Sequence, residues 1–457
     1  MRIHELLSKR AQESPDKTFL LFEGKEFSYR EMDERSSRVA AKLIGEGVKR
    51  GDNVAVFMEN RPEFIHAWFG IMKAGAAMVP INPALKGPEV EYIRENSESR
   101  LMLTGKHFDE GFEADPVDLP EGDASDLAAI VYTSGTTGKP KGAMLTHSSY
   151  LWDAEAIVKH ARMTGEDRFL CILPLFHVNA QVVTTLAPMI AGGSMVLTPK
   201  FSPMDFLETL ATSEATAFSG VPTVYAILNN MPGLENYDLS RLRFCICGAA
   251  PMPVEVFETF EKKFNAVIME GYGLTEGTCA SSVNPLDKRK IGSIGLPLEG
   301  QEMKIEDGEI CIKGPNLMQG YYKNPEATAA AIRDGWLHSG DLGRVDEDGY
   351  YYIEGRKKEM IIRGGENIYP KEIEEVLYQH PAVTEAAIVG LPDEKWGEEV
   401  AAFLVTKEEL GEEAIFAYCQ EKLADYKCPK RVIFRKELDK TATGKIQKHR
   451  LRESVAK

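Results

Sequence analysis

The run Thr133-Ser134-Gly135-Thr136-Thr137-Gly138-Lys139-Pro140-Lys141-Gly142 gathers three glycines, four hydroxyls and two lysines. Glycines let a backbone turn tightly and aim successive N–H groups at one point, and the hydroxyls and ammonium groups add further donors around it. A triphosphate needs such a set of donors. The run is not a Walker loop: Gly135 and Gly138 stand too close, and Pro140 follows Lys139 where Ser or Thr belongs. The plain alternative is a surface loop rich in Ser, Thr and Gly. Two lysines at alternate positions directly after an apolar strand argue against it.

Other residues with chemical capacity follow in order. Glu270-Gly271-Tyr272-Gly273-Leu274-Thr275-Glu276 combines an aromatic face, a hydroxyl and carboxylates. Gly248-Ala249-Ala250 offers small residues that permit close backbone approach. Ser339-Gly340-Asp341, Gly355-Arg356-Lys357-Lys358-Glu359 and Thr443-Gly444-Lys445 complete the series. Taken singly, each has an ordinary explanation as a turn, a packing site or a solvated charge.

Taken together, with Tyr132–Gly142 reading YTSGTTGKPKG, they resemble the adenylate-forming superfamily of acyl-CoA synthetases, luciferases and peptide-synthetase adenylation domains. The resemblance covers essentially the whole chain and is nearest to fatty-acid or aryl acyl-CoA synthetases. It implies ATP and Mg²⁺ as cofactors. It assigns the β- and γ-phosphates to Thr133–Lys141, adenine to Tyr272 with the backbone of Gly248, Ala249 and Ala250, and places Gly271 and Gly273 among the cofactor-binding residues. Thr275 would contact the α-phosphate, Glu276 would hold Mg²⁺, and Asp341 with Arg356 would grip the ribose. Lys358 falls at the family's hinge. Lys445 matches its catalytic lysine, which stabilises charge as pyrophosphate leaves.

The same resemblance bears on both substrates. His177, in Leu173–Gln181, occupies the gating position beside the acyl pocket. Peptide-synthetase domains carry an Asp near there; His177 and Asn179 stand here instead, which disfavours an amino acid. Ala180–Thr185, Phe218–Tyr225, Gly248–Met252 and Gly271–Ser281 contain no Arg or Lys, whereas a buried second carboxylate would want a cation. The expectation is a monocarboxylate with an apolar tail. For coenzyme A as acceptor, the resemblance points to Gly364, Gly365 and Glu366, to Trp396, and to Lys427 and Lys430. Cys428 departs from the arginine of some members. Delivery to a carrier protein is the nearest alternative, a luciferase-like oxygenation shares the adenylation motifs, and a non-catalytic nucleotide-binding protein is a remote reading.

These residues need a scaffold. The 457-residue chain exceeds one hydrophobic core and predicts at least two domains. Apolar runs alternate with helical patterns of about three turns from Asn53–Met58 and Pro62–Lys73 through Val182–Ala191 to Ala266–Met269, which implies largely parallel, covered sheets. Gly292–Gly355 reads as short strands with turns, a small antiparallel barrel or sheet. The fold class expected is α/β: a large N-terminal body of mostly parallel βα layers plus a small antiparallel β subdomain, then a small mobile α+β C-terminal domain. The boundaries expected are 1–355, a hinge at 356–358, and 359–457.

A net charge of −16 argues against nucleic-acid binding. Basic residues nevertheless crowd from Lys422 to Arg452, either as a solvated face or as a surface meeting a small polyanion. Seven cysteines without CxxC spacing argue against a zinc or disulfide framework. With no signal-peptide pattern or membrane-spanning run, the expectation is a cytoplasmic monomer or homodimer.

Overall fold

The computed structural model describes residues 1–133, 139–250, 252–441 and 444–455. Among these, the strands form four sheets. The largest has six parallel strands in the order Val267–Tyr272, Phe244–Cys247, Ala217–Gly220, Arg168–Cys171, Ser194–Leu197 and Thr18–Phe22. Short antiparallel strands finish both edges. A second sheet aligns Ser99–Thr104, Asn53–Phe57, Ala77–Pro80 and Leu127–Thr133 in parallel, and Lys141–Thr146 returns antiparallel beside the last. The strand pair flanking Ser134–Gly138 is therefore a hairpin. The structure of that stretch lies outside the described residues.

The two sheets share one core, and the helix Pro62–Lys73 shows why. Pro62 opens it, where a missing N–H costs nothing. Phe64–Lys73 are all buried, as expected for a helix packed on every side. The Lys73 ammonium is accommodated by Asp33 Oδ1 at 2.6 Å, Asp33 O at 2.8 Å and Ser37 Oγ at 2.8 Å. The facing helix Tyr29–Gly45, absent from the sequence reading, starts with a capping box. Ser28 Oγ accepts from Glu31 N, and Glu31 accepts from Ser28 N at 2.7 Å.

Elsewhere the elements lie within a few residues of expectation, with one informative difference. The helix read as Val182–Ala191 begins at Val178 and contains a π-turn at Val182–Leu186. Thr184 and Thr185 both donate to Ala180 O, at 2.9 and 2.8 Å, which occupies a carbonyl of the regular ladder. Hydropathy periodicity cannot reveal such an insertion.

Glu302–Glu306, Glu309–Lys313, Trp336–Val345 and Tyr351–Arg356 form the expected antiparallel sheet, with the short strand Ile332–Arg333 at one side. The helix Pro325–Ala331, capped by Asn324, interrupts this region and was not anticipated. The last sheet pairs Val383–Asp393 with Gly397–Thr406, flanked by Arg431–Phe434 and the hairpin Ile361–Arg363/Glu366–Ile368. It packs on Pro370–Tyr378 and Glu412–Gln420 around its own apolar cluster, which includes Ile361, Leu377 and Ile415.

Trp68 is fully buried at the centre of the shared core. Trp68→Ala should lower stability by about 3–5 kcal/mol, read as a fall in the thermal unfolding midpoint by circular dichroism. An unchanged midpoint would place Trp68 outside the cooperative core.

Candidate active site

The parallel strands end on one side, where Gly220, Cys247 and Glu270 sit in register across three strands. Beyond them opens a cleft of about 740 Å³, at the carboxyl ends where parallel sheets usually bind ligands. Among the residues expected at the nucleotide, Ala249, Ala250, Gly271, Tyr272, Gly273, Asp341, Arg356 and Lys445 line this one cleft. Gly248 lies beneath it; a Cβ there would sit 3.2 Å from Gly271 O. At Gly273 a Cβ would fall 1.7 Å from Cys279 O, so only glycine fits.

Asp341 is the polar centre. It is 4% exposed, yet Tyr272 donates its hydroxyl to Asp341 Oδ2 at 2.7 Å and Arg356 Nε donates to Oδ1 at 2.7 Å. Asp341 and Arg356 are register partners on adjacent strands, so the ion pair is built into the sheet. Each carboxylate oxygen has a second lone pair, which leaves acceptor capacity for a diol.

Lys445 reaches the same cleft from the far end of the chain. Its loop turns at Gly444, whose φ of +84° and whose packing, with a would-be Cβ 3.2 Å from Val221 Cγ2, both favour glycine. Thr223 Oγ1 donates to Gly444 O at 3.0 Å, tying that loop to the helix Pro222–Asn229. The glycine is thus a close-packed fixture rather than only a flexible joint. Burial, reinforced by Arg356, pulls the Lys445 ammonium below the ordinary lysine range against the attraction of Glu359 and Asp341. Burial also works against charge on Glu359, but Lys448 and Lys445 outweigh it and hold that carboxyl below its usual range. Lys448 bridges Glu359 at 3.2 Å and Glu374 at 2.8 Å. Neither Glu359 nor Lys448 was given a role from sequence, although Glu359 closes a motif that was singled out.

Thr275 and Glu276 form a single 3₁₀ turn beyond Gly273, outside the residues lining the cleft. Tyr321, which sequence reasoning missed, joins this turn to the hairpin that flanks Ser134–Gly138. Its hydroxyl donates to Glu276 Oε1 at 2.7 Å, and Lys141 Nζ stands 5.1 Å from its ring centroid. The segment carrying Tyr321 also pairs with the strand Lys141–Thr146, through Ala143 opposite Tyr321. Thr133 Oγ1 lies 3.5 Å from Lys141 O, and Lys139 Nζ lies 5.3 Å from the Tyr92 ring centroid. Ser134, Gly135, Thr136, Thr137, Gly138 and Thr443 fall outside the described residues.

His177 precedes the helix Val178–Gln181 and packs on Phe176, with ring centroids 4.2 Å apart. Burial lowers its pKa to about 4, so it is neutral at physiological pH. The residues expected at coenzyme A gather elsewhere. Gly364 donates its N–H to Trp396 O at 2.8 Å, and its α-carbon lies against the indole, where a Cβ would sit 2.8 Å from Cε3. Gly365 and Glu366 continue that hairpin. Lys427 is engaged by Glu372 at 2.6 Å, and Lys430 is exposed. None of these six lines the cleft. Lys358 is exposed, like Lys357, in the turn Lys357–Glu359 between the antiparallel sheet and the last one.

Residues 7–322 match the family model described as AMP-binding enzyme, and residues 372–445 match the AMP-binding enzyme C-terminal domain. This chain belongs to the AMP-binding enzyme family. It is 35% identical to a long-chain-fatty-acid–CoA ligase of Bacillus subtilis (strain 168), covering 99% of this chain and 94% of that protein. It is 36% identical to a feruloyl-CoA synthase of Amycolatopsis sp, covering 97% of each. The anthranilate CoA ligase AuaEII, solved in complex with anthranoyl-AMP, superposes with a TM-score of 0.93 at 29% identity, covering 99% of this chain and 97% of that one.

Within this family member's cleft, Glu270 is an acid with an unusual setting. Met252 N donates to its Oε1 at 3.3 Å, while Oε2 is buried with no hydrogen-bond partner among the described residues. Burial raises its pKa from 4.5 to about 7, with Lys371 only partly opposing. The folded chain therefore retains a proton that the unfolded chain has lost, and Glu270 costs stability progressively as pH rises from about 4.5 through 7. Glu270→Gln should be nearly neutral at pH 4.5 and stabilise by roughly 1–3 kcal/mol at pH 8. Thermal midpoints of both forms at the two pH values test this, and a pH-independent difference would contradict it.

Proposed function

We propose that this AMP-forming acid–thiol ligase activates a monocarboxylate with an apolar tail and passes the acyl group to coenzyme A. A carboxylate oxygen attacks the α-phosphorus of ATP, the bond to the bridging oxygen breaks, and pyrophosphate leaves with that electron pair. The coenzyme A sulfur then attacks the carbonyl carbon of acyl-AMP, its proton passes to solvent, and AMP leaves. The ligase chemistry through acyl-AMP accords with the relatives, whose named acids range from a long-chain fatty acid, ferulate and anthranilate to sulfoacetate and 2-succinylbenzoate, which carry a second acidic group.

The tail preference rests on the charge of the cleft wall. Between Val221 and Ile294, the lining residues include no Lys or Arg, and the one ionisable carboxyl is Glu270. On this side a second carboxylate would meet apolar side chains such as Val221, Ala226, Met231 and Met252, or the acid Glu270; the cations of the cleft, Arg356, Lys371, Lys407, Lys445 and Lys448, all come from later in the chain.

In the adenylation step, Lys445 would place its ammonium between the attacking oxygen and the α-phosphate, where charge develops. Its proximity to Asp341 and Arg356 supports this, since those two would hold the ribose of the same nucleotide. The phosphate run Thr133–Lys141 would receive the leaving pyrophosphate. Thr275 would donate to the α-phosphate. Glu276 suits Mg²⁺, because a carboxylate with one oxygen bonded to Tyr321, and no other side-chain bond among the described residues, can still offer a hard oxygen ligand. When bound, Mg²⁺ neutralises charge on the phosphates.

The chain would divide into 1–355 and 359–457 about a hinge at 356–358 that includes Lys358. The separate core of the last sheet favours this division, as does the gathering of Gly364 and Trp396 away from the cleft. Thioester formation would bring that face to the acyl-AMP after the domain turns.

Lys445→Ala should reduce pyrophosphate release by about 100-fold or more, while thioester formation from supplied acyl-AMP stays within a few-fold of the parent. Equal loss in both half-reactions would refute this division of labour. A panel of acetate, hexanoate, decanoate, palmitate, benzoate and malonate, with and without coenzyme A and with products resolved by mass, tests the acid and the acceptor. A strong malonate preference would defeat the apolar-tail reading, and acyl-AMP with no thioester would redirect the search to a carrier protein.

A further inference from the structure

The small antiparallel sheet carries a second cluster of chemical groups that the ligase reaction does not use. In the strand Glu309–Lys313, Ile310 and Ile312 face the apolar cluster that includes Tyr272 and Leu337. Strand alternation then places Glu309 and Cys311 on the opposite face. Cys311 pairs in register with His338, and the hairpin brings Glu306 alongside. Cys311 Sγ lies 3.4 Å from His338 Nδ1 and 3.9 Å from Glu306 Oε2, and His338 Nδ1 lies 3.4 Å from Glu309 Oε2.

These distances are close to those of a known polyhedron. Tetrahedral zinc with sulfur at about 2.3 Å and nitrogen or oxygen at about 2.0–2.2 Å has edges of roughly 3.3–3.6 Å between its ligand atoms. The Cys311–His338 separation falls within that range. The Cys311–Glu306 separation requires a shift of a few tenths of an ångström by Glu306, whose side chain is 48% exposed. Among the described residues this is the one group of three Cys, His, Asp or Glu whose ligand atoms all lie within 4.8 Å of each other.

We propose that Glu306, Cys311 and His338 form a three-ligand binding site for a thiophilic divalent cation of the zinc class, with Glu309 beside His338 but outside the ligand set. The donor set selects the ion: a thiolate and an imidazole suit zinc or cobalt, whereas magnesium and calcium prefer all-oxygen sites. On binding, the Cys311 S–H bond breaks, its proton passes to solvent, and the sulfur electron pair goes to the metal. The cation replaces the Lys304 ammonium, 3.0 Å from Glu306, as the partner of that carboxylate. Glu309 accepts Gly340 N–H at 2.8 Å, which anchors the acid beside His338 to the main chain.

Titration of the full-length protein with Co²⁺ tests the proposal without any assay of ligase activity. The expected result is one tetrahedral Co²⁺ per chain, with visible ligand-field bands and a near-ultraviolet thiolate-to-metal band, both bleached by Zn²⁺. Cys311→Ser should abolish the thiolate band, and Glu306→Gln should weaken binding by about tenfold or more. No thiolate band in the parent, or one that persists in Cys311→Ser, overturns the proposal. Should Cys311→Ser not fold, unchanged Co²⁺ affinity in Glu306→Gln, a substitution at an exposed position, overturns it equally.

Discussion

A carboxylate cannot be withdrawn from water without partners, and Asp341 determines how three parts of this protein meet. Its oxygens are satisfied by Tyr272, from the end of the nine-stranded sheet, and by Arg356, from the last strand of the antiparallel sheet. A buried ion pair left with one member is far worse than one with both. The two sheets are therefore held in one arrangement, and the chain leaves that arrangement at the turn just after Arg356. The position of the final sheet, and with it Lys445, follows from where this pair sits.

Charge around Lys445 is arranged in the same manner. The ammonium is enclosed but does not stand alone: Glu359 and Asp341 oppose the effects of burial and of Arg356. Lys448 satisfies Glu359 and Glu374 together, so the acid nearest the lysine is itself restrained. A group held this way needs little reorganisation when negative charge appears in front of it.

Much of the scaffold was legible from sequence because its signals are local. Pro62–Lys73 was readable from its proline and apolar run, and its bounds agree with the structure. The motifs around Tyr272, Asp341, Arg356 and Lys445 were each contiguous, and their convergence on one cleft is what the resemblance to adenylate-forming enzymes implied. Groups whose partners are remote in sequence were not legible. Tyr321 meets Glu276 across 45 positions, and Thr223 meets Gly444 across 221. The cysteine spacing spoke against zinc, yet Cys311 finds His338 27 positions away through strand register, which no CxxC pattern encodes. The π-turn at Val182–Leu186 was invisible for another reason: all five of its residues are buried, so there is no one-sided apolar stripe whose phase an inserted residue would shift.

The bond from Thr223 to Gly444 has a consequence for selectivity. The helix Pro222–Asn229 contributes the apolar wall of the cleft and is also the surface on which the loop before Lys445 rests. If the acyl tail lies on that wall and Lys445 acts as proposed, an acid that displaces the helix would displace the seat of the lysine as well. Fit and reactivity would then be read by one element, and widening the wall for a bulkier acid would also loosen the placement of the ammonium.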